Sequence, residues 1–178
     1  TYTAIFCAFT LVQRTAPQHL INILTNHSST SIARVSDKPI STFFDSAFWV
    51  ADNGAGLLIY VVLFWTFIAW SDRKYGSPRM IVITLSGHIL ASLTTIFLEL
   101  WAINSGRAPS SLAMATDVGV SYILVAGCAA AILIMRKRMF YIGLIILGLF
   151  ILLPLFVEHS IWDMGHLFAA FFGFISAR

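Results

Sequence analysis

Two side chains of this sequence carry chemistry that packing alone does not require. Ser121 and His166 each stand in an apolar run, Thr116-Asp117-Val118-Gly119-Val120-Ser121-Tyr122 and Trp162-Asp163-Met164-Gly165-His166-Leu167. A serine hydroxyl is a weak nucleophile at neutral pH and needs a base within hydrogen-bond reach, a role that a neutral imidazole fills. Polar and ionisable groups inside membrane segments usually face a bundle interior or a wet cavity, and there they mark function. A Ser121–His166 dyad is the chemistry this pair would support. The alternatives are a Ser121 hydroxyl bonded back to a carbonyl of its own helix and a His166 ring that only joins two helices.

Asp117 precedes Ser121 by four residues and Asp163 precedes His166 by three, so on a helix each acid shares the face of its polar successor. Either acid could line a water path, and Asp163 could orient His166. We favour the simpler account, in which acids in a first helical turn are held by capping and by the macrodipole. His88 and Glu99 share a face on another segment, which raises a metal reading. About 16 Å of helix axis separates them, and zinc ligands lie about 2 Å from the ion, so His88 drops out. Glu99, Asp117, Asp163 and His166 remain as a possible set. No His-Glu-x-x-His motif occurs, and neither a metal nor a cofactor is expected.

The elements that must position these groups are membrane helices. Of 178 residues, 58% are hydrophobic and only 11% charged, with a mean hydropathy of +0.85, which excludes an ordinary soluble domain. Hydrocarbon about 30 Å thick needs roughly 20 apolar residues of helix. Stretches near 54–70, 80–101, 113–135, 139–157 and 162–177 approach that length. Ala4–Val12 reads as the tail of a further span that begins before Thr1, since the chain opens without methionine or a basic leader. The expected architecture is an all-α, polytopic bundle of six spans in a single domain.

Basic residues cluster in 71–79 and in Arg136-Lys137-Arg138, two connections separated by two spans and so on one face. They place that face in the cytoplasm, for a multi-pass protein of the plasma (inner) membrane. Because membrane orientation accounts for the net charge of +3, no nucleic-acid partner is expected. Segment 15–53 then lies outside. Within it Ile40–Val50 is amphipathic, suited equally to the lipid interface and to packing on the bundle. Cys7 and Cys128 sit in apolar runs and read as small hydrophobes.

In this topology Ser121 lies about 12 Å and His166 about 6 Å below the outer surface. Helices meet closely in lipid where small residues let backbones approach. Gly165, Ala169 and Gly173 form such a ridge, and Gly119, Ala126, Gly127, Ala129 and Ala130 lighten the helix of Ser121.

Gly119-Val120-Ser121 at the head of a fourth span, Gly165-His166 at the head of a sixth, and Asp72-Arg73-Lys74-Tyr75-Gly76 after the second resemble the rhomboid superfamily of intramembrane proteases. With Ser86-Gly87-His88-Ile89-Leu90-Ala91-Ser92-Leu93, the pattern is similar to rhomboid-like membrane proteins of actinobacteria. The resemblance implies a six-helix bundle with a wet cavity open to the outside. In it Ser121 would attack a peptide carbonyl of a membrane-tethered protein, with His166 as base and then acid.

The sequence departs from that family in three places. Tyr122 follows the serine where glycine is usual, and Ala169 and Ala170 stand where glycine follows the histidine. The second span lacks the family's histidine, leaving Asn53 and Tyr60 as candidate oxyanion donors; His88 belongs to the third span. A second function is therefore open. It is a catalytically inactive relative that binds or stabilises membrane protein partners, including as a subunit of a larger complex.

Overall fold

The computed structural model describes residues 2–50, 56–157 and 161–178 and is all-α over them. In chain order the helices are α1 (Tyr2–Thr15), α2 (Gln18–Ser28), α3 (Ile32–Asp37), α4 (Pro39–Ser46), α5 (Leu57–Leu63), α6 (Ala69–Tyr75), α7 (Ser77–Asn104), α8 (Val120–Leu133), α9 (Lys137–Val157) and α10 (Ile161–Ser176). A π-helical turn, Phe64–Ile68, joins α5 to α6, and a 3-10 turn, Ser110–Met114, precedes α8. The chain divides into two compact units, Thr1–Val62 with Ile96–Ser121, and Leu63–Thr95 with Tyr122–Arg178.

The first unit holds the segment expected outside the membrane, which folds into short helices rather than a loop. Pro17 and Pro39 supply the preset φ of a helix start at α2 and α4, where a missing N–H costs nothing. Gln13, 4% exposed on apolar α1, is tied to Val50 through both ends of its amide. Its Nε2 donates to the Val50 carbonyl at 3.0 Å, and Oε1 accepts the Val50 N–H at 3.3 Å. Phe43 is buried, and Trp49 stands edge-on to Phe9 at 5.3 Å. The amphipathic piece therefore packs on protein, while Ile40 and Phe44, one turn apart, remain exposed.

In the second unit α8 is buried on every side, from Tyr122 through Ile132 with Cys128 only partly so. A helix apolar all round belongs in an interior, and its core partners are Ala91 of α7, Leu147 and Ile151 of α9, and Ala169 and Ala170 of α10. Gly76 adopts φ +84° between α6 and α7 and donates its N–H to the Asp72 carbonyl at 2.8 Å. Only glycine takes that conformation without strain, and it lets α7 begin directly where α6 ends.

Two helices, α7 and α9, are long and apolar enough to cross a membrane by themselves. Only 6% of the most apolar window of α9 is buried inside protein; Ile145, Ile146, Leu149, Phe150 and Leu153 are all exposed. A face of that size in water would drive association, whereas hydrocarbon accommodates it. Helices α8 and α10, with 14 and 16 residues, reach only about 21 and 24 Å.

The expected span 113–135 is corrected at its N-terminal end. Residues 115–119 are not helical, and α8 begins at Val120. The cause is tertiary: the backbone there is engaged by the first unit through bonds that a helix would forbid. Ser121 consequently sits in the first turn of its helix instead of two turns within it.

Candidate functional site

Asp117 does not occupy a first helical turn, contrary to the sequence-based expectation. Its carbonyl accepts the Thr30 N–H at 2.8 Å and its Oδ2 accepts the Thr30 hydroxyl at 3.1 Å. Its own N–H donates to Ser29 Oγ at 2.8 Å. Two residues on, the Gly119 N–H donates to the Ser46 carbonyl at 2.9 Å. Asp117 thus fastens the extended approach to Ser121 onto the connection between α2 and α3, and Gly119 fastens it onto the end of α4; the acid is 8% exposed. We expect Thr30→Val to cost about 1–3 kcal/mol, the usual range for a buried polar group that loses a partner. Thermal unfolding in detergent measures it.

Ser121, half-buried, is the second residue of α8 and closes the first unit. Glu99, 4% exposed, lies in the same unit within electrostatic reach of Asp117. Tyr60 packs edge-on against Phe6 at 5.8 Å. Asn53, the other candidate oxyanion donor, lies outside the described residues. No group of three or more His, Cys, Asp or Glu side chains able to hold an ion occurs among the described residues.

The second unit contains His166, half-buried in the second turn of α10. Its ring meets that of Tyr122 in a T-shaped contact with centroids 5.1 Å apart, and Phe150 covers it at 6.3 Å. Tyr122 in turn lies 6.1 Å from the His88 ring. His88 is fully buried, its Nδ1 3.5 Å from Ser92 Oγ. Asp163 falls in the first turn of α10, as expected for an acid at the positive end of a helix. It is 8% exposed, and its Oδ2 has no hydrogen-bond partner among the described residues.

The bulk of Tyr122 is accommodated by a glycine on the facing helix. A Cβ at Gly165 would strike the Tyr122 hydroxyl, and would lie 2.9 Å from Thr95 Oγ1. Further along, a Cβ at Gly173 would lie 2.6 Å from the Ala126 carbonyl oxygen, and one at Gly87 would strike the Ala126 Cβ. The small-residue ridge of α10 therefore does meet α8. Sequence reasoning treated Tyr122 only as an obstacle to helix approach and missed it as the neighbour of His166. The signal was present in Gly165, which leaves room for a ring opposite.

A family model described as rhomboid-like protein matches residues 1–177 of the chain. No curated protein matches it, and no solved structure does.

Proposed function

The chain belongs to the rhomboid-like protein family, and from that premise we propose that it is an intramembrane serine protease acting on membrane-tethered protein substrates. Ser121 is the nucleophile and His166 its base. What supports this reading is the family match over residues 1–177, together with Gly119-Val120-Ser121 and Gly165-His166, which resemble the motifs of the family's proteases. In the reaction Ser121 Oγ bonds to the scissile carbonyl carbon as its proton passes to the imidazole. The imidazolium then protonates the leaving amine, and water attacks the acyl-enzyme with His166 again as base. Asn53 and Tyr60 are the candidates for holding the oxyanion, where one donor is commonly worth about 100- to 1000-fold in rate. Asp163 orients His166 from the preceding turn, and His88 braces Tyr122.

The same reading gives six spans, with the short helices α8 and α10 completing a bundle in the plasma (inner) membrane. The basic connections 71–79 and 136–138 face the cytoplasm. Kinship with the actinobacterial members belongs to this reading as well. One observation favours a catalytically silent relative that binds membrane partners, alone or within a larger complex: the Tyr122 ring fills space beside His166 that a substrate backbone would need.

A fluorophosphonate probe separates the two. Labelling of the wild-type protein in detergent that disappears in Ser121→Ala, with unchanged thermal unfolding, is the expected result. Absence of labelling in folded wild-type protein would sink the protease reading and leave the binding role.

A further inference from the structure

A cavity of about 460 Å³ lies within the second unit, beside the π-helical turn and the connection from α8 to α9. Phe67, Trp70, Met135 and Met139 give it an apolar wall, and Lys74 and Arg136 stand at its edge. Its sides are fixed by packing. Ile68, from the π turn, fills the space that Gly127 leaves on α8, and the Tyr75 hydroxyl donates to the Ala130 carbonyl at 3.2 Å. The π turn matters because an extra residue in a helical turn re-aims the side chains around it, and such turns recur at functional sites.

Both cations are exposed, neither forms an ion pair among the described residues, and no carboxylate lines the cavity. We propose that this cavity binds one anionic phospholipid, its phosphate between Lys74 and Arg136 and an acyl chain along the aromatic and methionine wall. The two halves of the site select that ligand. A zwitterionic lipid would leave the cations without a net partner, and a free phosphate would leave the apolar wall wet. The surrounding basic residues Arg73, Arg79, Lys137 and Arg138 place the site at the level of lipid headgroups, where basic pockets between membrane helices take anionic lipids and tryptophan is favoured. The inference rests on the chain lying in a membrane and not on the protease reading.

Trp70 in the wall supplies the readout. The intact chain is placed in phosphatidylcholine nanodiscs doped with brominated phosphatidylglycerol or with brominated phosphatidylcholine, and the quenching lost in Trp70→Phe is taken as the signal of the site. We expect the brominated phosphatidylglycerol to quench selectively. Lys74→Gln with Arg136→Gln should weaken that binding about thirtyfold, as two headgroup contacts imply. Arg73→Gln with Arg138→Gln removes the same charge outside the cavity and should leave it intact. Equal quenching by the two lipids, or equal weakening in the two double variants, would overturn the site in favour of diffuse surface attraction. Displacement by soluble glycerol phosphate as readily as by phosphatidylglycerol would overturn the lipid and assign the cations to a free phosphate.

Discussion

Ala126→Leu is expected to prevent the protein from being recovered as a folded, monodisperse species in detergent. Ala126 is fully buried on α8, and two other helices approach it through glycines. Gly87 of α7 faces its Cβ, and Gly173 of α10 faces its backbone, with an added Cβ only 2.7 Å from Ala126 Cα. The extra carbons of leucine have nowhere to go unless both neighbours retreat. Overpacking one well-packed site costs about 1–3 kcal/mol, and here two backbone contacts open together. Association in lipid rests on such contacts, since burial from water does not drive it. Gly148→Leu is the matched control, because nothing lies within 4 Å of a Cβ at Gly148. It is expected to shift unfolding by no more than about 0.5 kcal/mol. Size-exclusion profiles and thermal unfolding of the two variants check the contrast; a well-folded Ala126→Leu protein would contradict it.

The second large effect concerns His166. If it is the base for Ser121, His166→Gln lowers kcat/KM on a membrane-tethered substrate by about 1000-fold or more, since the members of a nucleophile–base pair act as one unit. Combining it with Ser121→Ala then adds little. Glutamine has nearly the volume of histidine, so the contacts with Tyr122 and Phe150 are eased rather than emptied. Unfolding should move by no more than about 2 kcal/mol. Parallel cleavage assays and melting curves distinguish a chemical role from a packing one. Large destabilisation with intact turnover per folded molecule would assign the ring to structure.

The long apolar helices were readable because α9 keeps an almost unbroken hydrophobic run with its charges at the start, and α7 stays apolar on average in spite of His88, Glu99 and its serines and threonines. The start of α8 was not. Thr116 through Gly119 read as the first turn of the span, yet Ser29, Thr30 and Ser46 bind their backbone, and partners that are distant in sequence leave no periodic trace. Segment 15–53 looked like one loop because its helices are short, and proline supplied the only boundary signals. Tyr122 was visible as a departure from the family pattern, but its meaning depends on Gly165, some forty positions away. Lys74 and Arg136 were legible as charges that orient the chain. That they edge one cavity depends on the π turn, which no periodicity announces. Asn53 was legible as a polar residue at the head of a span, and it lies outside the described residues.

The Gly119–Ser46 bond and the Asp117–Thr30 bonds sit within four residues of Ser121. Whatever displaces α4 drags the opening of α8 along with it. A displacement of α4 applied at the exposed Ile40 and Phe44 would therefore be felt at the head of that helix.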